Sequence, residues 1–140
     1  MIAVDAGFLY ALVDRHDAWH LRAAKAAPTV QEGWISTWPA LTEAAHLMLR
    51  RVGPACAQAL IDEVADGGLL VWDIPKGRVA EIPILMKRYA RLPMDLADAS
   101  LVLLAEHLGH GRILTTDERD FGAYRWKSRK PFRNLLAEQD

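Results

Sequence analysis

The amino-acid sequence predicts an α/β fold in which a sheet of four or five parallel strands is flanked on both faces by helices. Three observations predict it. Short strand-like runs alternate with longer helical segments, the order of successive β–α units. The first run, Ile2 to Val4, is continuously apolar and ends at Asp-Ala-Gly, as expected for a strand buried on both faces that stops in a turn. The 140 residues, 51% of them hydrophobic, suit one compact domain spanning 1–140 with a sizeable core.

After the first strand, Phe8 to Val13 reads as a helix. Asp17 is placed to cap a second helix over Ala18 to Ala27, which Pro28 ends. Trp34 to Thr37 is the second strand, and Pro39 fits the first turn of the helix that follows, where a missing N–H costs nothing. Gly53-Pro54 stops that helix, and Ala55 to Val64 forms another that closes at Asp-Gly-Gly. Leu69 to Asp73 is the third strand. Pro83 would remove a hydrogen bond from a helix interior, so a helix is expected to begin near it and run to Tyr89 or Ala90, with a short turn ahead. Leu96 to Leu108 is strongly apolar and ends at Gly109, the pattern of a largely buried helix. Ile113 to Thr116 is the fourth strand, and Tyr124 to Trp126 is expected as an edge strand ahead of a basic tail.

Seventeen basic and eighteen acidic residues leave a formal charge of −1, so any attraction to nucleic acid must be local. The single cysteine, Cys56, excludes an internal disulfide and a thiolate zinc cluster, and points to a reducing compartment. The opening MIAVDAGFLYAL has no basic leader and meets Asp5 after four residues, which is unlike a signal peptide or a membrane span. A cytoplasmic protein that makes no use of a membrane is expected.

Four acids sit where apolar runs stop or helices begin: Asp5, Glu43, Asp98 and Asp117. In an open α/β sheet, ligands bind outside the carboxyl ends of the strands, so acids directly after two strands face one crevice. Crowded carboxylates repel and shift their pKa upward unless a cation sits among them. A hard divalent ion, Mg²⁺ or Mn²⁺, is the matching filler. Glu43 has Pro39 and Leu47 at its helical spacing and no basic partner there. Asp95 and Asp98 share one side of a helix start, where the positive dipole end favours negative charge, and capping accounts for one of them. Thr116 is placed to orient a neighbouring carboxylate.

The ordered set of V-D-A at the start, T-x-x-x-L-T-E-A in a helix, D-A-S-L-V-L-L-A-E in a later helix and L-T-T-D-x-x-D-F near the end resembles the PIN domain family. More narrowly, it resembles the VapC-like toxin ribonucleases of type II toxin–antitoxin modules, over residues 2 to about 135. The resemblance implies a three-layer α/β/α PIN-like fold and an Mg²⁺- or Mn²⁺-dependent endoribonuclease. By position, the family's catalytic acids fall on Asp5, Glu43, Asp98 and Asp117, with Asp5, Asp98 and Asp117 at the metal; Asp95 competes with Asp98 for the third role. It also implies an antitoxin that silences the enzyme through a helix or extended segment in a hydrophobic groove, and a homodimer; the two apolar helices between Pro39 and Val64 offer a surface for it. Where the family often has a hydroxyl residue after its first acid, this chain has Ala6. That departure motivates the alternative, a catalytically inactive PIN-fold module that binds RNA or protein.

RNA contacts are expected from a basic cluster between Arg119 and Arg133, six of the seventeen Lys and Arg, interleaved with Tyr124, Trp126 and Phe132. Arg125, Lys127, Arg129 and Lys130 are its candidate RNA-binding residues, and the patch is expected to border the acidic pocket. His16 and His20 lack an acidic third ligand at a zinc-protease spacing. Trp19, Trp34, Trp38 and Trp72 read as core or interface anchors. Gly7 stands two residues after Asp5, where a phosphatase of similar sheet would carry a second aspartate, and no Gly-rich Lys-Ser/Thr loop is present.

Overall fold

A computed structural model describes residues 1–137. Strands β1 (Ile2–Val4), β2 (Trp34–Thr37), β3 (Leu69–Trp72) and β4 (Arg112–Leu114) appear where the apolar runs place them, within two residues at each end. The helices are α1 (Ala6–Val13), α2 (His20–Ala26), α3 (Trp38–Arg51), α4 (Pro54–Ala65), α5 (Glu81–Arg88), α6 (Leu96–Leu108) and α7 (Glu118–Ala123). Three short strands follow: β5 (Arg125–Trp126), β6 (Lys130–Pro131) and β7 (Arg133–Asn134). The main sheet has the order β3-β2-β1-β4-β7 and every pairing in it is parallel.

Because β1 is central, the period-two alternation of its side chains feeds two cores. Ile2 and Val4 pack with α1, α3 and α4 on one face, through Phe8, Leu9, Leu41 and Met48. Ala3 and Ile113 pack on the other against α6, through Leu101, Val102 and Leu104. Every residue from Ala99 to Ala105 is buried, so this stretch of α6 is enclosed all round, and Leu101, Leu103 and Leu104 each contribute roughly 1.5–3 kcal/mol of burial. Gly109 ends α6 with φ 77°, a left-handed conformation that an L side chain resists.

Several boundaries differ from the sequence expectation for identifiable reasons. Asp17 does not cap α2. Its side chain accepts from Trp19 N and its carbonyl from His20 N, forming a turn that delays the helix to His20. Pro83 sits in the first turn of α5, where its absent N–H has no helical acceptor to lose. The expected edge strand at Tyr124 to Trp126 does not join the main sheet. Arg125–Trp126 pairs antiparallel with Lys130–Pro131 in a separate hairpin, turned by left-handed Lys127 (φ 49°) and Ser128 (φ 66°). The fifth strand is instead β7, in register with β4 through Arg112↔Arg133 and Ile113↔Asn134.

Candidate active site

The chain runs outward from β1 to β2 and β3, then returns to place β4 on the other side of β1. The carboxyl ends of β1 and β4 therefore flank a topological switch point, the position where open α/β sheets hold ligands. Asp5 follows β1 directly, and Thr115, Thr116 and Asp117 follow β4.

Asp5 is 7% exposed and its two oxygens are separately fixed: Oδ1 accepts from Ala6 N at 2.7 Å, and Oδ2 from Thr115 Oγ1 at 2.9 Å. Burial pushes its pKa up to about 6 against the pull of those two hydrogen bonds, with the charges of Asp117 and Asp95 adding to the rise. The hydroxyl that orients this carboxylate belongs to Thr115. Thr116, the residue expected in that role, points its Oγ1 toward Gly7, where a Cβ would stand 2.2 Å from it. Thr115 also accepts from Asp117 N at 3.0 Å, while Asn134 of β7 brackets its backbone, donating to Thr115 O and accepting from Thr115 N. Asp117 then caps α7 by accepting from Asp120 N at 3.1 Å.

The other side of the crevice comes from helix starts. Asp95 caps α6, its Oδ1 accepting from Asp98 N at 2.8 Å, so capping does account for one member of the pair. Asp98 is half-buried and its Oδ2 accepts from the fully buried Tyr124 OH at 2.8 Å. Burial, and then the charges of Asp95 and Asp5, push Asp98 up to about 7 despite the Tyr124 hydrogen bond. Glu43, in the second turn of α3, is raised by partial burial and then by Asp5, Asp95 and Asp117. Asp120 is raised by burial, by its contact with Asp117 and by that residue's charge. The acids gathered from Asp5 to Asp120 thus feel one another's fields. Among the described residues, no ion pair reaches Asp5, Glu43, Asp95, Asp98 or Asp117.

Also among the described residues, no three His, Cys, Asp or Glu side chains are drawn together tightly enough to hold a metal ion as they stand. The donors still fit a hard divalent ion: they are carboxylate oxygens with no cationic partner, and Mg²⁺ commonly takes one or two carboxylates and fills its shell with water and phosphate. Asp5 and Asp98 are each oriented by one hydroxyl, from Thr115 and Tyr124.

Arg119, in α7, bears on Asp120, whose pKa its charge pulls down, but the rest of the basic cluster lies elsewhere. Following Tyr124, which touches Asp98, the chain tracks along α6 until Lys127 N donates to Glu106. Glu106 lies eight helical steps after Asp98, roughly 12 Å at the α-helical rise. The hairpin turn carrying Lys127, Arg129 and Lys130 is therefore at the far end of α6 and does not border the acids. The Lys130 and Lys127 ammonium groups lie over Trp126, 4.9 and 6.0 Å from its ring centroid. The Arg125 guanidinium is engaged at the end of α7 by the carbonyls of Gly122, Ala123 and Tyr124. His20 Nδ1 pairs with Ala11 O at 2.7 Å while His16 is exposed, so they form no zinc pair. Trp72 is a core residue stacked on His107, and Trp38 stands 46% exposed.

Sequence reasoning missed the orienting roles of Thr115, Asn134 and Tyr124. Only the doubled Thr-Thr before Asp117 carried a readable signal for the first.

No family model matches the chain. It is 26% identical over 125 residues to Ribonuclease VapC26 of Mycobacterium tuberculosis, covering 87% of this chain and 90% of that protein. Its fold is that of Mycobacterium tuberculosis VapC20, a toxin that cleaves the sarcin–ricin loop, at a TM-score of 0.78 and 19% identity over 85% of this chain and 92% of the other.

Proposed function

We propose that this chain, VapC-like in sequence and PIN-like in fold, is a metal-dependent endoribonuclease that hydrolyses RNA phosphodiester bonds as the toxin of a type II toxin–antitoxin pair. The observation that carries the proposal is the switch-point crevice: Asp5 and Asp98 are pushed up to about 6 and about 7, with Glu43 raised beside them, and among the described residues no ion pair reaches any of the three. That is the electrostatic state of a site built around a positive ligand.

Asp5, Asp98 and Asp117 would hold Mg²⁺ or Mn²⁺. Such an ion, when bound, polarises a phosphate oxygen and lowers the pKa of water. Thr115 keeps one Asp5 oxygen turned and pins the Asp117 backbone, so the residues after β1 and β4 move as a unit. Tyr124 holds Asp98 from behind through a hydroxyl that stays protonated, since burial and the Asp98 carboxylate both raise its pKa. Glu43 is more exposed, and its upward shift suits it to accept the proton of the attacking water at its carboxylate. Arg88 and Arg91, exposed in the segment leading to Asp95, would supply phosphate contacts, while the hairpin cations would serve only more distant nucleotides.

The antitoxin segment would take the apolar groove of about 290 Å³ lined by Leu9, Leu12, Val13, Met48 and Leu60, and send a basic side chain to the acids. Exposed Leu49 on α3, Val52 just after it and Ile61 on α4 support a homodimer surface. The enzyme is a single domain and acts in the cytoplasm; among the described residues no helix is long and apolar enough to cross a membrane.

The test is cleavage of a structured ribosomal RNA fragment with and without EDTA, by the parent, Asp5→Asn and Asp98→Asn. Cleavage only by the parent and only with Mg²⁺ or Mn²⁺ is expected. RNA binding by all three with no cleavage by any would favour the inactive binding module.

A further inference from the structure

Beside the acids, between the starts of α3 and α6, lies an open depression of about 450 Å³ lined by Trp38, Pro39, Thr42, Asp95, Leu96 and Ala97. Its floor and walls are apolar. Trp38 is 46% and Leu96 49% exposed there, two large apolar side chains side by side at helix starts. Neither is free to collapse onto the core: Trp38 is the first residue of α3, fixed between the Thr37 cap and Pro39, and Leu96 is the first residue of α6. Thr42 Oγ1 donates to Trp38 O, which ties this turn further.

The depression is continuous with the proposed catalytic crevice through Asp95, which lines it and whose charge is felt by Asp5, Glu43 and Asp98. Asp95 Oδ1 is occupied by Asp98 N, and Oδ2 takes no hydrogen bond among the described residues. An aromatic face with a carboxylate rim, beside acids that would act on a phosphodiester, matches one ligand chemistry: a heterocycle attached to the chain being cut.

We infer that Trp38 forms a nucleobase subsite, in which the base flanking the scissile phosphate stacks on the indole over Leu96 and turns its polar edge toward Asp95. The inference rests on the nuclease reading of the neighbouring acids and adds the subsite that seats their substrate. Stacking on an aromatic is tolerant of base identity, because every base presents a π-face. The carboxylate rim favours bases with an exocyclic amine over uracil, which offers carbonyls on both sides of its one N–H. A pre-ordered indole also loses little side-chain freedom when the base arrives.

The experiment compares Trp38→Leu, which keeps apolar bulk and removes the ring, with Trp38→Phe, which keeps a ring. Binding is read first, in EDTA and in the non-cleaving Asp5→Asn background, with a short single-stranded RNA carrying 2-aminopurine at alternate positions. Expected is a weakening of about tenfold for Trp38→Leu and less for Trp38→Phe, with lost quenching of the 2-aminopurine emission in the Leu variant. Cleavage is read second, with Mg²⁺: in the Trp38→Leu protein kcat/KM falls about tenfold, chiefly through KM, and the base preference beside the cut flattens. Equal affinity and equal quenching with and without the indole overturns the subsite, whatever the cleavage assay shows. So does a change of solution mass from dimer to monomer in Trp38→Leu, which would make this face a contact with a second copy. Quenching by Trp38 in a parent protein that never cleaves would leave the subsite standing and remove the nuclease reading instead.

Discussion

Asp5→Asn should make the metal-free protein more stable while removing its cleavage. In the fold, Asp5 has its pKa pushed from 3.8 to about 6, chiefly by burial. The folded state therefore binds more protons than the unfolded chain between those two values. Stability from this group is fully present below pH 3.8, is lost as pH rises towards 6, and stays lost above. A shift of that size corresponds to roughly 3 kcal/mol of destabilisation at neutral pH. Asparagine removes the charge and keeps the shape. Its amide nitrogen must face one of two donors, Ala6 N or Thr115 Oγ1, so about 1 kcal/mol is returned as a compromised hydrogen bond. The net gain of about 2 kcal/mol should raise the melting temperature at pH 7.5 in EDTA by about 6 °C for a chain of this size. The assay is thermal unfolding from pH 4 to 8, with and without millimolar Mg²⁺. The parent should lose stability across pH 4 to 6, and further towards pH 7 as Asp98 ionises, and should recover it with Mg²⁺. The variant should show a shallower pH dependence and little response to the ion. An Asp5→Asn protein that melts below the parent at pH 7.5 in EDTA would show that the Asp5 carboxylate is stabilised where it sits, and the electrostatic reasoning about the crevice would fail.

Thr115→Val keeps the volume of a fully buried side chain but leaves Asp5 Oδ2 without its donor and Asp117 N without its acceptor; a loss of about 1–3 kcal/mol in urea unfolding is expected, together with weaker Mg²⁺-induced stabilisation. Tyr124→Phe removes only the hydroxyl that holds Asp98, so unfolding free energy should fall by about 0.5–1.5 kcal/mol while the Mg²⁺ concentration for half-maximal thermal stabilisation rises; an unchanged midpoint would mean that Asp98 needs no support from behind. Gly7→Ala places a Cβ 2.2 Å from Thr116 Oγ1, and overpacking there should cost about 1–3 kcal/mol, read as an earlier denaturant midpoint at constant slope.

The parts of this structure that were legible in the sequence are those dictated by local chemistry. Ile2 to Val4 is too short and too apolar for anything but a buried strand, and Leu96 to Leu108 too long and too apolar for anything but a buried helix, so Asp5 and Asp98 could be placed at their ends. The parts that were not legible depend on tertiary pairing. Whether Thr115 or Thr116 faces Asp5 is decided by which side of β4 abuts β1, a matter of sheet order that the dipeptide itself does not encode. Arg125 to Arg133 carries strand-forming and turn-forming residues together, and only the left-handed backbone at Lys127 and Ser128 folds it back on itself, leaving Arg133–Asn134 as the edge of the sheet. The same reversal carries the cations away from the crevice. Their proximity in sequence to Asp117 and Asp120 misleads, because Tyr124 marks the point where the chain leaves the acids to run along α6.

Beneath the acids lies a layer of buried hydroxyls. Ser36 Oγ donates to Val4 O at 2.7 Å, joining the ends of β2 and β1. Thr37 Oγ1 meets Ser100 Oγ at 2.6 Å, and Ser100 Oγ donates to Ala97 O, joining β2 and the start of α3 to the first turns of α6. Thr115 completes the layer from β4 to Asp5. All four side chains are fully buried, and each costs free energy to desolvate unless its partner is in place. An apolar layer of the same volume would pack as densely, but it would leave the strand ends and the helix start free to slide against one another. Hydrogen bonds are directional, so this layer fixes the backbone at the carboxyl ends of β1, β2 and β4 and at the amino end of α6. Those are the positions from which Asp5, Asp98 and Asp117 project, and Glu43 follows in the second turn of the helix that leaves β2. Mutual repulsion would otherwise drive these carboxylates apart. The hydroxyl layer is what lets a site of crowded like charge keep its geometry.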